Sequence, residues 1–229
     1  MKIDVWGFPV FKYSCENPDR MLEEVLNTIE LIKPVSSSDE WNATSMVSPP
    51  EQRNICIEQE INKYIEKFSK DLNISCEMLT LNECGDQKCK HPLTRAYWVN
   101  TYKTGQNQDV HWHMTTDDHT FSNSNAMFSF TYFAKYDHEN DAKFVFVNPS
   151  PAPDMFKDWV EAVPEFRPAF IPDVKQGDII IFPCFLLHYV DIHTSEDQRI
   201  TVSGNIHKKI ETDCKCDTEF GDFPSLNTP

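Results

Sequence analysis

Between residues 94 and 208 the chain is written in short runs of aromatic and β-branched residues, each closed by turn residues. That rhythm constrains the fold more than any other feature. The runs fall at 95–102, 109–115, 126–134, 143–147, 168–174, 179–183, 186–192 and 199–206. Each has the length of a strand and is too short to bury the face of a helix. About eight such strands without an internal repeat describe a jelly roll or small barrel. Residues 150–167, rich in proline, read as a loop with one short helical turn. Ahead of the barrel, residues 3–13 read as a strand. Asn17-Pro18-Asp19 is a helix start, and Met21, Leu22, Val25, Leu26, Ile29 and Ile32 follow the three-four spacing of one buried face, so a helix is predicted over 18–33, ended by Pro34. Ile57, Ile61, Tyr64, Ile65 and Phe68 predict a second helix over 52–71. The Ser-, Asp- and Pro-rich stretch 35–51 reads as a loop, and 74–92 as a cysteine-bearing excursion. The expected class is α+β, mainly β. A double-stranded β-helix (a jelly-roll or cupin-like barrel) covers 94–208, the N-terminal strand, helices and excursion of 1–93 support it, and 209–229 form a tail, all within a single domain, 1–229.

Composition narrows the partners. The formal net charge is −15 over 229 residues, with 36 Asp and Glu against 21 Lys and Arg. So acidic a surface repels phosphate backbones and anionic lipid, which argues against nucleic acid or a membrane as partner. No run approaches the ~20 apolar residues that span a bilayer, and the N-terminus has no basic segment followed by a long apolar one. A cytoplasmic protein is expected, in the host cell if phage-encoded, and a homodimer is compatible with this surface. Eight cysteines in such a compartment should be mostly reduced. Cys15, Cys56 and Cys184 look like core or half-core residues. Cys76, Cys84, Cys89 and His91 lie close together, but their spacing is irregular and contains no CxxC, so zinc is not expected there.

The chemistry gathers around His111-Trp112-His113. Two histidines at i and i+2 of an extended strand project from one face and can reach one point, where neutral imidazoles suit a divalent metal. His188 stands several strands away, between apolar neighbours, and a jelly roll brings such a distant strand back beside the first pair. Two ligands from one strand and a third from another leave one side of a metal open. Arg199 and Thr201 share a face of the last strong strand, where a guanidinium could grip a carboxylate through two bonds and a hydroxyl could add a third. Asn100 and Tyr102, on the strand before the histidine pair, offer an amide and a phenol to the same acid.

From Trp98 to Asn205 the chain resembles the iron(II)- and 2-oxoglutarate-dependent oxygenases of the prolyl-hydroxylase-like superfamily, and most of all a small family of such oxygenases from bacteria and phages. The ordered set Phe8-Pro9-Val10, Asn100, Gly105, Asn107, His111, His113, Gly177-Asp178, Phe182-Pro183, His188, Val190, Arg199 and Asn205 carries the resemblance. It implies a dioxygenase, in most cases a hydroxylase, with Fe(II), 2-oxoglutarate and O2 as cofactor and co-substrates. It also implies His111, His113 and His188 as metal ligands, no catalytic residue beyond them, and Arg199 on the distal carboxylate of 2-oxoglutarate. Most such enzymes carry aspartate or glutamate where this chain has His113. Asp117 or Asp118 is the alternative carboxylate ligand.

Two other readings remain open. Gly105, His111, His113 and Asp117, followed by Gly177, Pro183 and His188, resemble the two motifs of a cupin dioxygenase or isomerase, although a cupin needs no carboxylate clamp at Arg199. A non-catalytic jelly-roll binding module would make the three histidines incidental. Trp98, Tyr102, Trp112, Phe128, Phe130 and Phe182 are candidates to line a substrate cavity. The substrate, a small molecule or a peptide, is set by loops such as 35–51, 114–125 and 150–167.

Overall fold

The computed structural model describes residues 1–32, 43–47, 54–75, 79–80, 97–113, 126–149 and 167–208. Asp117, Asp118, the cysteine set Cys76, Cys84, Cys89 and His91, the loop 114–125 and the tail 209–229 lie outside the described residues. The N-terminal stretch forms two strands rather than one. Strands β1 (Lys2–Val5) and β2 (Phe8–Ser14) are joined at Trp6-Gly7, both with positive φ, 53° and 82°. That is the two-residue turn whose twist matches a hairpin, and Asp4 Oδ1 accepts from Gly7 N–H at 2.7 Å to close it.

Helix α1 (Pro18–Leu31) starts where Asn17 caps it, the side chain accepting from Arg20 N–H, with Pro18 in the first turn. Helix α2 (Ile55–Asp71) is capped in the same way by Asn54, which accepts from Cys56 N–H. The Asn54 amide also donates to the Glu24 carbonyl and carboxylate and to Thr28 Oγ1, so one cap ties both helices together. Strand β3 (Thr44–Val47) corrects the expectation of a continuous loop over 35–51. Strand β4 (Leu79–Thr80) follows, and the barrel is then built from β5 (Trp98–Tyr102), β6 (Gln108–His111), β7 (Ala126–Lys135), β8 (Phe144–Val147), β9 (Ala169–Phe170), β10 (Asp178–Pro183), β11 (His188–Val190) and β12 (Arg199–Lys208). All eight expected strands are present. Those expected at 168–174 and 186–192 are much shorter.

Two antiparallel sheets face each other. The larger runs β1-β2-β10-β7-β12-β5-β3, with β4 on the end of β12, and the smaller runs β6-β11-β8-β9. This is the expected double-stranded β-helix. Alternation sorts the large sheet into two faces. One carries Val99, Phe130, Tyr132, Ile179, Ile181, Ile200, Val202 and Ile206, and it packs against Met21 and Val25 of α1 and Ile57, Ile61 and Phe68 of α2. The other looks into the barrel, where Val10, Phe133, Phe144, Phe146, Ile180 and Phe182 fill one half. The Gly177 turn joins the two regions. Its φ is +86°, and a Cβ there would stand 2.7 Å from Pro18 Cβ at the start of α1. The adjoining Asp178 is buried and accepts from Ser14 Oγ at 2.6 Å and from Lys175 N–H at 3.1 Å. Gly177-Asp178 is thus an architectural pair, well explained without ligand chemistry.

Candidate metal centre and anion pocket

The other half of the barrel holds a small, mainly polar cavity. From β12, Arg199, Thr201 and Ser203 face a cavity between the sheets, beside Trp98, Asn100 and Tyr102 of β5, Thr131 of β7, Gln108 of β6, and Phe144 and Val190 of the small sheet. Register sets these neighbours: Arg199 lies opposite Tyr102, Thr201 opposite Asn100, and Ser203 opposite both Trp98 and Thr131. Ser45 Oγ donates to Asn100 Oδ1 at 2.6 Å, and the Asn100 amide reaches Ser203 Oγ at 3.4 Å.

At one end of this cavity stand the three histidines. His188 of β11 is paired directly with His111 of β6, so two imidazoles face each other across adjacent strands, with ring centroids 4.3 Å apart. His113 lies two residues beyond the end of β6, held by its N–H on the Cys184 carbonyl, with its ring 5.4 Å from that of His111 and 5.1 Å from that of His188. One ring nitrogen from each of the three lies within 4.8 Å of the others, and among the described residues no carboxylate joins the group.

In each ring the Nδ1 atom is engaged. His111 Nδ1 lies 2.7 Å from the Asp109 carbonyl, His188 Nδ1 2.8 Å from the Leu186 carbonyl, and His113 Nδ1 2.7 Å from Asn205 Oδ1. A carbonyl oxygen only accepts, so the proton sits on Nδ1 and the lone pair on Nε2, the tautomer that binds metal. Burial pushes all three imidazoles below their ordinary range, His113 down to about 4, and for His188 the neighbouring histidines add to it. At neutral pH all three are therefore uncharged, the ligating form. The donor set fits a divalent transition metal.

Arg199 fits an anion. It is fully buried, and Nε, Nη1 and Nη2 have no hydrogen-bond partner among the described residues. Its guanidinium lies 4.5 Å from the Tyr102 ring centroid, 5.7 Å from that of Phe133 and 5.6 Å from that of Tyr136. Cation–π attraction of about 2 kcal/mol offsets part of the cost of burial, and a buried guanidinium whose nitrogens have no hydrogen-bond partner among the described residues suits a carboxylate or phosphate. Burial pushes the Tyr102 phenol up, so it remains a donor to such an anion.

The structure thus brings together every candidate it describes: His111, His113 and His188 at one end of the cavity, and Arg199, Thr201, Asn100 and Tyr102 along its wall. The aromatic lining needs correction. Trp98 and Tyr102 do line the cavity, and Phe182 lies against His188 with ring centroids 5.0 Å apart. Phe128 and Phe130 point the other way, into the helix-facing core, and Trp112 is 51% exposed. Ser129, Thr131 and Ser203, small polar residues of long strands, went unnoticed in the sequence. The described cysteines, Cys15, Cys56 and Cys184, are all free, the first two partly buried and the third buried.

Residues 96–205 match the family described as "Putative 2OG-Fe(II) oxygenase". No curated protein is a significant match in sequence. Solved structures share the fold at low identity. A prolyl-4-hydroxylase from Pseudomonas putida is 10% identical, covers 87% of this chain and 92% of its own, and gives a TM-score of 0.54. The viral collagen prolyl hydroxylase of Paramecium bursaria Chlorella virus-1, in complex with 2-oxoglutarate, is 16% identical, with 87% and 96% covered and a TM-score of 0.52. HygX from Streptomyces hygroscopicus, with nickel, 2-oxoglutarate and hygromycin B bound, is 11% identical, with 88% and 83% covered and a TM-score of 0.55. The segment 96–205 that matches this family is the barrel, and it carries three histidines able to hold a metal ion and a buried arginine without a hydrogen-bond partner among the described residues, so the barrel resembles the iron(II)- and 2-oxoglutarate-dependent oxygenases.

Proposed function

We propose that this oxygenase is a hydroxylase in which His111, His113 and His188 hold iron(II) and Arg199 holds the far carboxylate of 2-oxoglutarate, with Thr201, Asn100 and Tyr102 beside it. The observation that carries the reading is the fully buried guanidinium of Arg199, without a hydrogen-bond partner among the described residues, on the wall of the cavity that ends at the histidines. A resident surface ion pair would not be built this way, and a cupin has no use for it. When bound, iron(II) supplies the activation of O2 that couples decarboxylation of 2-oxoglutarate to hydroxylation of a C–H bond, one oxygen atom ending in succinate and the other in the product. The protein binds, orients and shields. Arg199 fixes the co-substrate at the end away from the metal, and Tyr102 and Thr201 complete its anion. Phe144, stacked on His188 at 5.2 Å, and Trp98, 5.5 Å from His113, hold the ligand rings and keep water from them.

The substrate is proposed to be a small molecule or a peptide. Support comes from the fold relatives, which include prolyl hydroxylases, one of them in complex with a peptide fragment, and an enzyme with hygromycin B bound. A cytoplasmic enzyme, alone or as a homodimer, working without nucleic acid or a membrane, fits the formal charge of −15. Among the described residues no helix is long and apolar enough to cross a membrane.

The test is calorimetric binding of 2-oxoglutarate to the Ni(II)-loaded protein under nitrogen, with succinate formation in air with Fe(II) and ascorbate as the second readout. Arg199→Ala should weaken 2-oxoglutarate binding by about 2 kcal/mol, or roughly 30-fold. A metal-loaded parent that binds no 2-oxoglutarate would favour the cupin chemistry, and a parent that binds no metal would favour a non-catalytic module.

A further inference from the structure

The three candidate ligands are not held in the same way. His111 and His188 each place Nδ1 on a carbonyl two residues earlier in their own segment, Asp109 and Leu186. His113, which stands where most such enzymes have a carboxylate, is held by side chains from other strands. Asn205 Oδ1 of β12 lies 2.7 Å from its Nδ1 and Ser129 Oγ of β7 lies 3.0 Å from it, while the Ser129 hydroxyl donates to the same Asn205 oxygen at 2.9 Å. Asn205 and Ser129 are themselves opposite one another in the sheet register.

We infer that Asn205 and Ser129 are positioning residues that fix His113 as a neutral imidazole with Nε2 toward the metal, so that the bound ion keeps its full divalent charge. The inference rests on the ligand assignment proposed above. Its chemistry lies in the choice of acceptor. An imidazole whose Nδ1–H is taken by a carboxylate gains imidazolate character and becomes a stronger, more negative ligand. An amide oxygen is a weaker, uncharged acceptor and leaves the ring neutral. Were the Asn205 amide turned over, its N–H would face Nδ1, the ring proton would move to Nε2, and the ligand would be lost. The Ser129 hydroxyl, donating to Oδ1, favours the working orientation. Because side chains rather than backbone hold this ligand, substitution at position 205 tunes the metal in a way that position 109 or 186 cannot.

The experiment measures Ni(II) affinity of the metal-free full chain by calorimetry and the Fe(III)/Fe(II) midpoint potential by spectroscopic titration, for the parent, Asn205→Asp, Asn205→Leu, Ser129→Ala and His188→Ala. Asn205→Leu should weaken Ni(II) binding by about 10- to 100-fold and Ser129→Ala by less. Asn205→Asp should tighten it by roughly ten-fold and lower the potential, because aspartate can only accept from Nδ1–H and returns a negative charge to the site. A merely structural Asn205 would lose affinity in both replacements. If His188→Ala loses metal while folded Asn205→Asp binds no tighter than the parent and leaves the potential unmoved, the inference is overturned and the ligand assignment stands. If His188→Ala binds as the parent does, or the parent binds no metal, the assignment itself fails and takes the inference with it. Near-UV circular dichroism checks folding, and should Asn205→Leu not fold, the sign of the Asn205→Asp change decides.

Discussion

The two faces of the large sheet are made by the same strands and obey opposite rules. On β12 the helix-facing residues Ile200, Val202 and Ile206 are wholly buried aliphatics, while the barrel-facing residues Arg199, Thr201, Ser203 and Asn205 are polar. On β7 the helix face carries Phe128, Phe130 and Tyr132, and the barrel face Ser129 and Thr131. The helix face is a conventional core whose burial stabilises the fold. The barrel face keeps buried polar groups, one of them a charge without a hydrogen-bond partner among the described residues, which costs stability unless a ligand arrives. The helix face of the sheet is core throughout, while its barrel face divides between an apolar core at Val10, Phe133, Ile180 and Phe182 and the polar cavity wall of β12 and β7.

The contrast can be broken most heavily from the helix side. Phe68 of α2 is fully buried, edge-on to Phe11 at 5.1 Å and to Phe128 at 4.7 Å. Phe68→Ala should cost about 3–5 kcal/mol in urea unfolding, while Ni(II) affinity of the protein that remains folded stays within about two-fold of the parent. A large loss of affinity there would show that the faces are coupled. A middle-sized effect comes from His207, at the end of β12 beyond a register shift between Ile206 and His207. It is 2% exposed, neither ring nitrogen has a hydrogen-bond partner among the described residues, and burial pushes its pKa down to about 4. The unfolded chain takes up that proton near pH 6.5, so the folded state loses stability as pH falls from about 6.5 toward 4 and keeps it fully above that window. At pH 5 the loss is about 2 kcal/mol. Thermal unfolding of the metal-free protein at pH 7 and pH 5 should therefore show a smaller acid shift for His207→Phe than for the parent, and equal shifts would refute the burial argument. The smallest effect sharpens the contrast from the binding side. Arg199→Leu should abolish the anion pocket yet stabilise the ligand-free protein by on the order of 1 kcal/mol, since it removes a charge whose burial is only partly offset by the rings around it. Destabilisation in the same urea experiment would mean that Arg199 belongs to the core.

Much of this was readable in the chain, and the omissions have physical causes. The helices declared themselves through three-four spacing and caps, and the strands through their runs. His188 could be placed beside His111 only because a jelly roll returns a late strand to an early one. The aromatic lining went wrong for a simple reason. In Phe128-Ser129-Phe130-Thr131-Tyr132 the alternation is plain, but the habit of assigning apolar residues to the barrel interior inverts it. At this level of the barrel the inward residues Ser129 and Thr131 are polar, and Phe128, Phe130 and Tyr132 face the helices. Strand β3 was hidden because Thr44–Val47 sits within Ser- and Pro-rich sequence and gains its structure from pairing with β5. Asn205 was visible only through the family pattern. Ser129 carried no signal at all, because its role is a hydrogen bond to residues far away in the chain.

The direct pairing of His111 with His188 has a consequence for how the protein is made. The two histidines, both proposed metal ligands, meet only when β11 has docked on β6, across the whole stretch that contains β7 to β10. During synthesis the emerging chain carries His111 and His113 long before His188 leaves the ribosome, and two imidazoles make a weak, unselective site. With the proposed ligand set, metal capture would be a late event that follows long-range strand pairing rather than seeding it. An ion held across His111 and His188 would pin the register of a three-residue strand, since a slip by one position would turn His188 to the opposite face. Under the proposed assignment, loading with metal and completion of the small sheet would become the same step of maturation.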